Sequence, residues 1–383
     1  MRVTMLLHKS VEHDARVRRE ARALAEAGHE VTVVHLPRGD DRPGEAASEG
    51  YELVSANPGD WAERLPGGPR RAVTVARIAR LGRGADPDVV HAHDAAMLAP
   101  GWTAARGAGV RLLYDSHELA TGVPYHSGSW AVLVRSVERL FVPRCAAVIT
   151  VSDGIAERLR ERYDLERLPT VVRNIPDLPP PRPEAVADLR AELSLGDEPL
   201  AIHHGAVAVD RGGENLIRSL AHLDRGHLLF LGASGPYAER LEGFAAGLGL
   251  SSRVHMRPPA PLSTLLSYTA QVDAGVTLLE DTCLNHRLAL PNKVFEYIAA
   301  GIPVVASDLP ELRRMIDSYG VGFTVDAADP KSIASGLRSA FAARAEAALR
   351  DRLTRAGQQL TWSRERERLL ALYERLGMAS GSA

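Results

Sequence analysis

At 383 residues the chain exceeds the size at which one hydrophobic core usually keeps growing, so two domains are expected, each large enough to bury its own core. A net charge of -2 with 25% charged residues offers no electrostatic case for nucleic acid, and no apolar run approaches the roughly 20 residues that span a bilayer. The two cysteines, Cys145 and Cys283, argue against a disulfide framework and a cysteine zinc site, and a soluble cytoplasmic protein is expected. Lysine occurs only at positions 9, 293 and 331; arginine carries nearly all positive charge, as in GC-rich bacterial genomes, which makes Lys293 conspicuous.

The opening Met1-Arg-Val-Thr-Met-Leu-Leu7 is too short for a signal peptide and reads as a buried strand. Strand and helix then alternate in the manner of a doubly wound sheet. Strands are expected over residues 3–7, 30–36, 88–91, 111–115, 146–151 and 170–173, and helices over 16–27, 73–81, 95–106, 130–141 and 154–162. Val17, Ala21 and Leu24 share one face of the first helix, and Gly28 stops it. Arg16, in Asp14-Ala-Arg-Val-Arg-Arg19, fits two readings equally: a residue aimed at a ligand, or one arginine of a solvated helix face.

Val90-His91-Ala92-His93-Asp94 stands at a strand's carboxyl end, where open α/β sheets place ligands. Alternation puts His91 and His93 on one side of the strand. With no evident carboxylate or cysteine set beside them, they fit a cleft wall or buried carbonyl partners better than a metal, and no metal is expected. Asp115-Ser-His-Glu118 ends the next strand, where His117 is placed to donate to a ligand hydroxyl or, as imidazolium, to face anionic charge. The same histidine also fits a helix cap or a core position. Residues 130–141 combine Trp130, Leu133, Val134, Val137, Leu140 and Phe141 with Arg135 and Arg139, a stripe that favours core packing over peripheral contact with an anionic membrane.

After Asn174 comes Ile-Pro-Asp-Leu-Pro-Pro-Pro-Arg-Pro, a stiff spacer that cannot pair in a sheet, so the domains are expected over 1–178 and 185–360. The second half begins a new sheet, with strands over 200–204, 227–231, 254–256, 274–278, 304–306 and 322–325. No solenoid repeat appears. His204-Gly-Ala-Val-Ala-Val-Asp-Arg-Gly-Gly-Glu214 and Leu231-Gly-Ala-Ser-Gly-Pro236 are glycine turns after strands, though loop closure alone explains the second. Leu290-Pro-Asn-Lys-Val-Phe-Glu-Tyr-Ile-Ala-Ala-Gly301 reads as a loop, a short amphipathic helix with Pro291 in its first turn, and a glycine stop. Asn292, Lys293 and Glu296 fall near one face of that helix, whose N-terminus suits a pyrophosphate; a solvated Lys293–Glu296 surface pair is the plainer alternative. The last helix, over 362–378, carries Leu369, Leu372, Tyr373 and Leu376 at helical spacing.

The stretch from Pro291 to Asp308, with support at His91, His117, Arg211 and Gly232, resembles the retaining glycosyltransferases of family four, in the variant with Pro-Asn-Lys-x-Phe-Glu-Tyr. The resemblance implies the GT-B fold: two Rossmann-like doubly wound domains facing a cleft, with the last helix crossing back to the first domain. It implies transfer of a hexosyl group from a nucleotide-diphosphate sugar to a small-molecule or glycan acceptor, with no further cofactor and no metal. His117, Arg211, Lys293 and Glu296 take the catalytic positions. Gly232, Ser234, Gly235 and Asn292 join Arg211, Lys293 and Glu296 around the nucleotide. Arg16, His91, His93, Glu118, Asn174, Asn285 and His286 are the acceptor or sugar candidates. Three departures stand out: the first loop, His8 to Asp14, lacks the Gly-Gly pair of many relatives, Ala206 replaces an arginine, and Leu288 replaces a glutamate that relatives carry eight positions before Glu296, with Glu280, Asp281, Asn285 and His286 as candidates to take over. A nucleotide-sugar epimerase and a noncatalytic sugar-nucleotide binder are the rival readings, and a nicotinamide oxidoreductase is disfavoured because no Gly-x-Gly-x-x-Gly follows the first strand.

Overall fold

The computed structural model describes residues 1–37, 49–57, 59, 65–122 and 128–378. Its chain divides into two compact units, Met1–Arg173 with Ser363–Ala383, and Asn174–Trp362. The division falls just ahead of the proline-rich segment, because Ile175 is already buried in the core of the second unit.

The first unit is built on a seven-stranded parallel sheet. Its strands are β1 (Arg2–Leu6), β2 (Glu30–His35), β3 (Glu52–Ser55), β4 (Val89–His93), β5 (Arg111–Ser116), β6 (Ala147–Thr150) and β7 (Thr170–Val171), in the order β3-β2-β1-β4-β5-β6-β7. β4 is buried along its full length, as expected of a central parallel strand covered on both faces. Strand β3 escaped the sequence reading, since its ends are exposed and its alternation is weak. The expected helix over 73–81 runs as Gly67–Gly84, and the one over 95–106 opens with a 3-10 turn at Ala95–Met97 before Leu98–Ala108.

The second unit is a six-stranded parallel sheet. β8 (Leu200–His204), β9 (His227–Leu231), β10 (Val254–Arg257), β11 (Ala274–Thr277), β12 (Val304–Ser307) and β13 (Gly322–Val325) run in the order β10-β9-β8-β11-β12-β13. One core cluster gathers around Phe295, Tyr297 and Ile298, and another around Leu216, Phe230 and Leu337. In each sheet the strand order reverses once, between β1 and β4 and between β8 and β11. Ligands of open α/β sheets bind beside the carboxyl ends at such points. Among the described residues no helix is long and apolar enough to cross a membrane.

Candidate functional sites of the two units

The helix Asn292–Ala299 follows β11 and ends on Gly301, whose φ of +72° supplies the left-handed residue that stops it. Pro291 stands one residue earlier than the sequence suggested, as the extended N-cap (φ −62°, ψ 142°), so Asn292 and Lys293 open the helix. No side chain caps this end. Its first amides and the positive end of its dipole are therefore presented to a ligand.

The motif's two aromatics fix the helix in place. Phe295 and Tyr297 are buried, and the Tyr297 hydroxyl reaches the carbonyls of Val276 (3.0 Å) and Ile202 (3.3 Å) while accepting the His204 N–H (3.4 Å). Gly275 makes room for that ring, since a Cβ there would lie 2.2 Å from Tyr297 Cγ.

The helix thus carries Lys293 and Glu296 to the end of β8. Lys293 Nζ lies 3.1 Å from His203 Nε2, beneath the turn at Gly205 (φ +79°), where a Cβ would come within 3.3 Å of the lysine stem. Burial, reinforced by the nearby Arg211 charge, lowers Lys293 to about 8 against the pull of Glu296. Burial holds His203 well below its usual range, so it stays neutral and accepts from the ammonium. Glu296 is 8% exposed, with Oε2 3.4 Å from His204 Nδ1. That position rules out the solvated surface pair.

Arg211 rides on the loop after β8, which is tied to the loop after β11 by the Glu280 N–H to the Asp210 carbonyl (3.0 Å). Gly232 (φ +116°) packs against the backbone of Gly205, so the two glycine turns meet, while Ser234 and Gly235 are exposed at the start of Pro236–Gly247. Of the candidates for the lost glutamate, Asp281 is paired with Arg287 (2.6 Å) and the His286 ring is held by the Glu280 carbonyl (2.8 Å). Asn285 and Leu288 are half-buried in Leu284–Leu288, and Asn174 lies half-buried at the opening of this unit.

In the first unit, register places His93 of β4 directly against Asp115 of β5. Arg16 does not lie on a solvated helix face. It is 3% exposed and binds Asp115 in two-pronged fashion (2.8 and 3.0 Å), the Val172 carbonyl (2.8 Å) and, as an ion pair, Glu20 (3.0 Å). Asp115 in turn lies 3.2 Å from His117 Nε2, which also meets His93 Nδ1 at 3.1 Å. On its other side His117 Nδ1 lies 3.6 Å from Asp94 and 3.8 Å from Asp14. Burial alone would depress this imidazole, but Asp94 and Asp115 outweigh it and lift His117 to about 9. It is therefore an imidazolium at neutral pH. Asp94 holds φ +65°, costly for a residue with a side chain and of a kind that collects at functional sites. Glu118 is exposed beside it.

His91 is fully buried and bonded through Nδ1 to the Tyr373 hydroxyl (2.9 Å), on the helix Trp362–Met378. The carboxylates missing from the sequence reading are Glu20 and Asp115. With His91 and His93 they bring ligand-type atoms within 4.8 Å of one another. Arg16 already supplies a positive charge to both carboxylates, and burial pushes Glu20 up to about 8, toward its neutral form. The i, i+4 spacing of Arg16 and Glu20 is the one sequence signal that would have exposed this network.

Two doubly wound units, each with polar groups gathered where its strand order reverses, form the GT-B architecture of glycosyltransferases. Residues 15–178 match the family described as Glycosyltransferase Family 4, and residues 187–360 match Glycosyl transferases group 1. A D-inositol 3-phosphate glycosyltransferase of Xylanimonas cellulosilytica is 31% identical over 69% of this chain and 68% of its own. A GDP-mannose-dependent alpha-(1-6)-phosphatidylinositol monomannoside mannosyltransferase of Mycolicibacterium smegmatis is 26% identical over 81% and 80%. Among solved structures, a sucrose-phosphate synthase from Thermosynechococcus elongatus superposes with a TM-score of 0.76 at 20% identity, covering 99% of this chain and 100% of its own. The HepE protein of Anabaena, solved with UDP, does so with a TM-score of 0.76 at 16% identity, covering 98% and 100%. The chain belongs to the group 1, family four glycosyltransferases.

Proposed function

We propose that this glycosyltransferase moves a hexosyl group from a nucleoside-diphosphate sugar to an acceptor hydroxyl, with retention of anomeric configuration and without a metal ion, in cytoplasmic synthesis of a bacterial natural product or surface glycan. The observation that carries the reading is the uncapped helix end at Asn292 with Lys293 and Arg211 beside it, at the reversal point of the second sheet. Amide dipoles and two cations suit a pyrophosphate and can hold the charge that develops on it as it leaves. Glu296 is assigned to the ribose hydroxyls, and Gly232, Ser234 and Gly235 to the base. The complexes of HepE with UDP and with UDP-glucose support a nucleotide-sugar donor, as does the GDP-mannose dependence of the mycobacterial relative.

The acceptor is assigned to the first unit, with the His117 imidazolium orienting the sugar. The acceptor oxygen bonds to the anomeric carbon as the bond from that carbon to the diphosphate breaks, and the hydroxyl proton passes to the departing diphosphate. Leu288 leaves no glutamate at the family position facing the sugar, which favours this same-face route over a covalent intermediate. Titration of uridine, guanosine and thymidine diphosphates tests the donor site. Arg211→Ala and Lys293→Ala should each weaken diphosphate binding more than nucleoside binding; equal losses for both ligands would return the two residues to a structural role. Proton NMR of the first-formed product should show retention, and activity should survive chelation.

A further inference from the structure

The first unit contains a cavity of about 910 Å³, within the range that encloses a small-molecule ligand. Part of its lining is polar: His8, Asn57, Thr74, Glu118, Asp94, which contacts His117, and Lys9, whose charge is paired with Asp14 (2.9 Å). Much of the rest is apolar, formed by Val75 and Ile78 of Gly67–Gly84, Met97, and Trp130 and Leu133 of Ser129–Phe141. Val75, Trp130 and Leu133 are 38%, 39% and 51% exposed. Large apolar groups left open to water and converging on one concavity mark a binding surface rather than a core. Arg70 and Arg71 also line it; the Arg71 guanidinium lies 5.5 Å from the Trp130 ring centroid, and neither arginine is ion-paired among the described residues.

We propose that this cavity is the acceptor subsite and that it takes an alcohol built on an apolar body and bearing an anionic group, rather than a bare sugar. The assignment rests on the glycosyltransferase reading in which the first unit holds the acceptor. The hydroxyl lies toward Asp94 and His117, the apolar body against Val75, Met97 and Leu133, and the anion against Arg70 and Arg71. Charge complementarity is the reason for the anion, since Arg70 and Arg71, neither ion-paired among the described residues, stand beside Val75 and Trp130 in the lining.

Isothermal titration of the full-length protein, without donor, tests this with 5-hydroxynaphthalene-1-sulfonate, 1-naphthol and glucose. The sulfonate should bind at least tenfold more tightly than glucose. Leu133→Glu should weaken it about tenfold, and Val75→Glu similarly; both side chains are solvent-exposed, so the fold tolerates the change. Replacing Arg70 and Arg71 together with alanine should reduce the sulfonate to the affinity of 1-naphthol and leave 1-naphthol unchanged. Glucose binding as tightly as the sulfonate, or both glutamate variants binding normally, overturns the proposal; 1-naphthol binding as tightly as the sulfonate overturns its anionic part. A nucleoside diphosphate titrated into the same samples separates the two readings. Its failure alongside normal sulfonate binding sinks the donor assignment and leaves the apolar–anionic site standing, whereas the reverse sinks only the acceptor class.

Discussion

Lys293 and His117 carry opposite perturbations, and each makes a measurable prediction. Lys293 sits near pKa 8 because burial and Arg211 disfavour its charge. A bound diphosphate favours that charge and must raise the pKa, so binding at pH 8 should take up a proton. Calorimetry in buffers of different ionisation enthalpy should report uptake of up to about half a proton in the native protein, and none attributable to this site in Lys293→Arg. His117 moves the other way, with its folded pKa raised to about 9 from 6.5. Its stabilising contribution is complete below pH 6.5 and is lost as pH rises through 9. The ring should titrate near pH 9 by nitrogen-15 NMR, and Asp94→Asn, which removes the largest favourable charge, should bring that titration down. A ring that titrates near 6.5 in both proteins would contradict the imidazolium assignment.

At the scale of elements, the placement of the helix Asn292–Ala299 depends on a glycine well upstream in the chain. Tyr297 anchors the helix to β8 and β11 only because Gly275 leaves space for its ring. Gly275→Ala forces the ring or the helix aside, an overpacking that typically costs about 1–3 kcal/mol. Because Lys293 and Glu296 ride on the same helix, diphosphate affinity should fall together with the unfolding temperature. A variant that loses stability but binds diphosphate normally would show that the ring alone yields.

At the scale of the whole molecule, the chain returns to its first unit through the last helix. Tyr373 reaches His91, Glu365 accepts the Arg173 N–H (2.9 Å) and Arg366 pairs with Glu26 (3.3 Å). Tyr373→Phe leaves the buried Nδ1 of His91 without its partner, at a cost of roughly 1–3 kcal/mol. The expected result in a thermal scan is a fall of several degrees, without change in diphosphate affinity, since that site belongs to the other unit. Ending the chain before Ser363 should destabilise the first unit far more, because Leu369, Leu372 and Tyr373 are all buried.

Two doubly wound units, the glycine stop at Gly301 and the Pro-Asn-Lys-x-Phe-Glu-Tyr helix were legible in the sequence, because periodicity, glycine and proline act through neighbours a few residues apart. Strand β3 was not, since an edge strand with exposed ends carries little alternation. Arg16 also escaped, because its partner Asp115 is 99 positions away and only the pairing of β4 with β5 and the docking of the first helix bring them together. The same holds for Glu20 beside His91 and His93, and for Gly275 under Tyr297. Residue type and spacing determined which chemistry the chain carries. Tertiary structure alone decided which charges are buried, which neutralise one another, and therefore that His117 is charged, that Lys293 stands near its titration point, and that Arg16 is buried against Asp115.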